Sequence, residues 1–320
     1  MTLPPNTSHN AHQTVPFIKM HGLGNDFIMV NSADLPESLN TQEGKSQLAK
    51  QWCNRHWGIG ADGLIIAQPA VNPDSIATFD YWNSDGTIAQ MCGNGIRCFA
   101  YYLQQQGWTD ASEFNVDSLI GPMTLTIMDS PERDKTEGHP QQDPQIRVNM
   151  GAPILDAAKF PSTLPEAQAT NPPVDIAVCL DTASSQTIPI SLVSMGNPHA
   201  LIFTDEINES LPPETFGPLI ETLDIFPERT NVEFIQMNSP NHAHVTVWER
   251  GCGFTQACGT GACATAVGAI LKGRGTSPMT ISLPGGDLTI EWDKTTPNAP
   301  VMMTGPATQV FSGILPLQKP

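Results

Sequence analysis

Basic side chains are scarce in this chain of 320 residues: 15 lysines and arginines stand against 32 acidic residues, a formal net charge of −17. Such a field repels phosphate backbones and anionic headgroups, which argues against nucleic acid and membrane surfaces as partners; an acidic surface that aids solubility accounts for most of it. An anionic substrate then needs a local exception, an arginine or a cluster of backbone N–H groups inside a cleft. Long apolar runs are missing too, and none approaches the roughly 18 residues of a membrane-spanning helix. The first 16 residues have neither the basic and apolar regions of a signal peptide nor the arginines of a transit peptide. They read as a disordered leader, and the expected compartment is the cytoplasm.

Paired cysteine spacing is also absent. The seven cysteines, at 53, 92, 98, 179, 252, 258 and 263, include no C-x-x-C and no zinc-type Cys/His pattern, so no metal is expected. A disulfide framework does not suit a chain of this length without a signal peptide. Most of these thiols read as small buried hydrophobes. Two have a different setting.

Cys92 lies in AQMCGNGIRCFA and Cys258 in QACGTGACATAVGAI, each followed by Gly-x-Gly and a helical pattern. Their separation is 258 − 92 = 166, and at that offset residues 79–95 overlay 245–261 without a gap. Trp82 falls on Trp248, Gln90 on Gln256, Gly93 on Gly259 and Gly95 on Gly261. Further upstream, Gly24-Asn25 precedes an apolar strand, and so does Gly196-Asn197. Two halves of one plan indicate a duplicated domain. The boundary is placed near Met150, giving halves 17–150 and 151–297, with the last strands, 298–320, returning to the first half. A proline-rich, charged stretch at 128–145 reads as a surface loop. Strand patterns outnumber helical ones, so the predicted class is α+β, with each half a curled, mostly antiparallel sheet around a helix.

A helix start offers unpaired N–H groups and the positive end of a dipole. That setting lowers a thiol's pKa, which predicts thiolate at neutral pH, and the same amides can hold a carboxylate. Inversion at carbon needs a base on one face and an acid on the other. Two thiols flanking a Cα supply both and exchange protonation states in each cycle. The bland alternative is a pair of buried helix-start cysteines. Near the thiols, Asn83 and Glu249 occupy matching places nine residues before Cys92 and Cys258. Arg250 suits a substrate carboxylate, being planar and always charged. Asn25, Asn197 and Asn231 sit in polar turns, where asparagine is commonly a turn residue, and His199 reads equally as a turn histidine.

FIKMHGLGNDFIMVN, NRHWGIGADGL, NSDGTIAQMCGNGIRC, SMGNPHA, FPERTNVEF and ERGCGFTQACGTGACA occur in that order. Together they resemble the diaminopimelate epimerases, from Phe17 to about Phe311. The resemblance implies two similar domains about a pseudo-twofold axis, no cofactor (in particular no pyridoxal phosphate), a homodimer, and Cys92 and Cys258 as the two bases. It implies substrate contacts at Asn25, Asn83, Gly93, Asn94, Asn197, Asn231, Glu249, Arg250, Gly259 and Thr260. His199 and Glu249 then adjust the thiols. Two positions depart from the family pattern: Gly63 stands where some members have a substrate-binding glutamine, and Phe254 where glutamate is frequent. Another cofactor-independent racemase on this scaffold, acting on histidine or a proline-type substrate, remains open. A non-catalytic binding module, or a carboxylate-using isomerase like the phenazine-pathway relatives, is opposed by the retention of both cysteines.

Overall fold

Period-two runs become strands, and the two glycine-led segments become helices. The computed structural model describes residues 14–128, 143–164, 171–180, 187–204 and 211–317. The first half runs β1 (Thr14–Gly22), β2 (Asn25–Asn31), α1 (Gln42–Trp52), β3 (Gly63–Pro69), β4 (Ser75–Asn83), α2 (Gly93–Gln105), β5 (Glu113–Asp117), β6 (Met123–Ile127) and β7 (Gln145–Asn149). After β8 (Ile176–Cys179) comes a second series. It comprises β9 (Thr187–Ser194), β10 (Pro198–Thr204), α3 (Pro213–Glu221), β11 (Asn231–Ser239), β12 (His242–Glu249), the short β13 (Gly253–Phe254), α4 (Gly259–Leu271), β14 (Met279–Leu283), β15 (Gly286–Glu291) and β16 (Met302–Pro306). β17 (Thr308–Pro316) ends the described chain.

The strand pairings repeat in order. β1/β2 is antiparallel, β2/β3 parallel, β3/β4 antiparallel, β4/β5 parallel, and β5/β6 and β6/β7 antiparallel. The same senses recur in β9/β10, β10/β11, β11/β12, β12/β14, β14/β15 and β15/β16. β7 and β16, the last strand of each series, pair antiparallel with each other and join the halves. The edge strands are exchanged: β8 follows the first series but pairs with β9, and β17 follows the second but pairs with β1. The fold is therefore α+β with two pseudo-symmetric halves.

Several boundaries differ from the sequence expectation. Of residues 298–320, only β17 pairs wholly within the first half, because β16 bonds to β15 as well as β7. Thr14, Val15 and Pro16, assigned to a leader, are strand residues opposite Pro316, Leu315 and Ile314. The rest of the leader, and most of the loop at 128–145, lie outside the described residues. Helix α3, which the sequence reading does not include, forms despite Gly217 and Pro218, both of which disfavour helix locally. A Cβ on Gly217 would lie 2.6 Å from Cγ of Trp248, so glycine lets the helix close on that ring. Glu221 then accepts from Trp248 Nε1 at 2.7 Å and from Gly251 N at 2.9 Å.

Burial explains the layering. α2 and α4 are buried almost all round, as helices enclosed by sheet must be. Both belong to one core with the inner faces of the two halves. On the outer faces, α1 packs Leu48 and Trp52 over Ile28 and Leu64, and Ile220 of α3 packs over Ile202 and Phe234. Each such apolar side chain contributes about 1.5–3 kcal/mol on burial.

Candidate active site

The two enclosed helices meet at their N-termini. A Cβ on Gly93 would lie 3.0 Å from Met303 Cε and 3.4 Å from Gly259 Cα; one on Gly259 would lie 3.3 Å from Gly93 Cα. Glycine at both places lets two backbones touch where the halves join. Cys92 caps α2 and Cys258 caps α4, each from an extended backbone. In both, the sulfur accepts from the amide three residues on, Gly95 N or Gly261 N, at 3.4 Å. A thiol thus stands in the N-cap role of serine or aspartate. A cavity of about 530 Å³ opens above this junction, with both cysteines in its wall.

Asn25 reaches the cavity from a two-residue hairpin turn. Leu23 and Gly24 have φ of 55° and 85°, the positive pair that a type I′ turn needs. Its Oδ1 accepts from Asn94 Nδ2 at 3.2 Å and lies 3.5 Å from Cys92 Sγ, while its Nδ2 donates to Asp62 Oδ2 at 2.7 Å. Asn94 Nδ2 also donates across the junction to Ala257 O at 2.9 Å. On the other side Asn197 Nδ2 donates to Thr260 Oγ1 at 3.3 Å, and that hydroxyl lies 3.5 Å from Cys258 Sγ. Glu249, bonded by Thr255 Oγ1, and Arg250 complete the polar lining. The exposed Arg250 guanidinium bonds Glu228 O at 3.2 Å and has no carboxylate partner among the described residues.

Three residues expected at the site do not line the cavity. Asn83 Nδ2 bonds Thr87 Oγ1 at 3.0 Å and closes its own turn. Asn231 holds the Arg250 backbone, accepting from its N at 2.9 Å while donating to Pro198 O at 2.8 Å. His199 is completely buried, with Nδ1 2.6 Å from Glu233 Oε1 and Nε2 3.0 Å from Asn197 Oδ1. It reaches Cys258 through Asn197 and Thr260, and the turn that Cys258 caps through Glu233.

The thiols are not the low-pKa pair that their position suggested. Burial pushes Cys92 up to about 11, against the pull of the Gly95 and Asn94 amides and the Arg97 charge. Burial, then the Glu249 and Glu233 carboxyls, raise Cys258 well above its ordinary value. Helix-start amides act on a thiol in water. Here loss of water outweighs them. A thiolate formed in such a place is correspondingly more basic.

Asp62, Arg97 and Glu233 escaped the sequence reading. Each carries a weak signal, most clearly Glu233, an acid inside the apolar run NVEFIQM, and Arg97, a cation inside GIRCFAYYL. The two departures from the family pattern also have a structural setting. A Cβ on Gly63 would lie 2.4 Å from Tyr81 Cε2, so the Tyr81 ring fills that space. Phe254 is turned outward, its ring edge-on to Trp248 at 5.1 Å.

The fold is shared with solved structures. One is a hydroxyproline epimerase from Agrobacterium vitis, with TM-score 0.67 and 15% identity over 98% of this chain and 95% of that one. Another is a phenazine biosynthesis protein of the PhzF family from Bacillus anthracis, with TM-score 0.61 and 14% identity over 94% and 99%. At these identities the likeness is one of fold. Sequence narrows it: the family model for diaminopimelate epimerase matches residues 17–155 and 191–310. The diaminopimelate epimerase of Halothermothrix orenii is 42% identical over 305 residues, covering 95% of this chain and 98% of its own. That of Synechocystis sp. is 42% identical over 297 residues, covering 93% and 97%. The chain belongs to the diaminopimelate epimerase family, a family of isomerases.

Proposed function

We propose that this enzyme converts LL-2,6-diaminopimelate to the meso isomer, in lysine and peptidoglycan precursor synthesis, by proton transfer between two thiols. The carrying observation is the pair of N-capping cysteines on helices whose first glycines touch. One thiolate removes the α-proton, and the opposite thiol delivers a proton to the other face. Free amides at the two helix starts hold the adjacent carboxylate and stabilise charge that develops on it. Arg250, at the exposed edge of the cavity, suits the second carboxylate, while Asn25, Asn197 and Glu249 offer acceptors to the ammonium groups.

Asn231 acts by fixing the Arg250 backbone, and His199 through Asn197. Asn83 is given the more distant role of shaping the turn before Cys92. The reaction uses no cofactor and no metal. The enzyme works in the cytoplasm as a homodimer; β17 supports the latter, pairing on one edge with β1 and exposing Val310, Phe311 and Ile314. Sedimentation at micromolar concentration tests this, and a monomer there refutes it.

Pure protein incubated with LL-diaminopimelate in EDTA, without pyridoxal phosphate, should give the meso isomer by chiral analysis. Cys92→Ser and Cys258→Ser should each abolish it, because an alcohol is too weak an acid and base at neutral pH. Inversion of histidine or proline in preference to diaminopimelate would favour the wider racemase reading. Near-normal turnover by either serine variant would exclude the two-thiol chemistry.

A further inference from the structure

The duplication gives the two thiols one backbone frame but different surroundings. Pairing registers identify equivalent positions. Phe27 lies opposite Gly63 as His199 lies opposite Asn231, which makes Phe27 and Ile65 the counterparts of His199 and Glu233. The contacts agree. A Cβ on Gly95, in the turn capped by Cys92, would lie 3.0 Å from Ile65 Cδ1 and 3.4 Å from Phe27 Cε1; one on Gly261, in the turn capped by Cys258, would lie 2.9 Å from Glu233 Oε1. Behind one thiol-bearing turn is a hydrocarbon pair. Behind the other is a buried carboxyl–imidazole pair, whose Glu233 Oε2 has no hydrogen-bond partner.

A third difference lies one turn into each helix, where the offset of 166 sets Arg97 against Cys263. Arg97 is completely buried. Its guanidinium donates to Gly93 O and Asn94 Oδ1 at 3.0 Å each, and to Pro306 O at 3.1 Å. All three partners are neutral, and no carboxylate lies within ion-pair distance of it among the described residues. An arginine stays protonated, so an uncompensated positive charge sits under the first turn of α2. Its counterpart Cys263 is a neutral buried thiol.

We infer that Arg97 and Glu233 are positioning residues that make the two thiols unequal: in the empty enzyme Cys92 ionises first and Cys258 keeps its proton. This rests on the two-thiol reading above. The other titratable groups do not reverse the order. Glu249 disfavours ionisation of both sulfurs; Tyr81 and Cys98 on the Cys92 side, and Cys263 near Arg97, are kept neutral by burial. His199 stands one residue further from Cys258, behind Asn197 and Thr260 on one side and behind Glu233 on the other, whereas the Glu233 carboxyl meets the capped turn itself. The substrate isomer whose α-proton points at Cys92 therefore meets a resting enzyme already in the required protonation state.

The test is the pH dependence of iodoacetamide labelling at each cysteine of the empty enzyme, read by mass spectrometry of proteolytic peptides. Accessibility sets the plateau rate; ionisation sets the midpoint. Cys92 should show the lower midpoint. Arg97→Met should raise it, by up to about one pH unit for loss of a nearby opposite charge, and leave Cys258 nearly unmoved. Glu233→Gln, which keeps shape and loses the acid, should lower the Cys258 midpoint and leave Cys92 alone; this variant decides the matter if loss of Arg97 prevents folding. Coincident or reversed midpoints in the unmodified enzyme, or a Cys258 midpoint unaffected in folded Glu233→Gln, would overturn the inference. Labelling is read without turnover, so failure here is distinct from failure of the two-thiol chemistry, which the serine variants report.

Discussion

Asn94 should be the most damaging asparagine to remove, although three others line or support the cavity. Its side chain is 2% exposed and makes three bonds at once. Nδ2 donates to Ala257 O at 2.9 Å and to Asn25 Oδ1 at 3.2 Å, and Oδ1 accepts from Arg97 Nη2 at 3.0 Å. Two of these are neutral and one is made by a buried cation. At about 0.5–1.5 kcal/mol for each neutral bond and about 1.5–3 for the charged one, Asn94→Ala should cost roughly 3–6 kcal/mol. For a chain of this size that is a fall in thermal midpoint on the order of 10 °C. The Ala257 bond also fixes the residue before Cys258 to the helix that Cys92 caps. Losing it frees one thiol relative to the other, and a displacement of about 1 Å costs roughly 100-fold in rate. Asn94→Asp keeps the acceptor for Arg97 but turns a carboxylate toward two oxygens, so it should also be poorly active. Urea denaturation and the chiral assay measure the two effects. An alanine variant within about 1 kcal/mol of the unmodified enzyme, turning over normally, would refute the idea that this side chain clamps the halves together.

Arg250→Lys keeps the charge but loses the planar two-point grip on a carboxylate, so turnover should drop on the order of 100-fold; near-normal kcat and KM would put the carboxylate elsewhere. Burial opposes ionisation of Asp26, but Arg55 and Lys19 overcome it and hold that carboxyl well below the usual range. A lowered folded value gives stability that is complete above the unfolded carboxylate pKa of about 3.9 and is lost as pH falls through the folded value. Asp26→Asn should accordingly lose less stability on acidification than the unmodified enzyme; equal losses in urea titrations across that window would contradict this. In D₂O, early product should carry deuterium at the inverted carbon while recovered substrate stays mostly protiated, because the delivering thiol has already exchanged with solvent. Label appearing equally in both isomers would indicate a single base.

What could be read from sequence was what is local. Gly-x-Gly after a cysteine describes a capped helix start within four residues, and its recurrence at 258 needed no tertiary knowledge. The exchange of edge strands was only half visible, since β17 joins β1 through pairs as distant as Thr14 and Pro316. Helix α3 was hidden because Gly217 and Pro218 oppose helix locally, and its justification is the Trp248 ring and the bonds of Glu221. The thiol ionisation was misjudged for a related reason: helix-start amides are encoded beside the cysteine, while the burial that outweighs them comes from both halves. Asn83 marks the limit of reasoning by register. It matches Glu249 in the repeat, yet its amide is engaged by Thr87 four residues on.

Duplication supplies what inversion at carbon asks for first, two like groups on opposite faces of one point. Where the halves touch, the sequence has kept its symmetry: Gly93 and Gly259 are in mutual contact, and a side chain on either would press on the other's backbone. Away from the junction the requirement reverses. The proton removed and the proton delivered are equivalent, but the carbon between them carries a carboxylate, an ammonium and a side chain that are not. A site symmetric in all respects could not hold that carbon in one orientation. Asn83 has diverged from Glu249 in the turn before the thiol, and behind the thiol-bearing turns Phe27 has diverged from His199, Ile65 from Glu233 and Arg97 from Cys263. Symmetry is retained in the backbone where the two helix starts touch and given up in the side chains packed behind them, so that two like thiols stand in unlike surroundings.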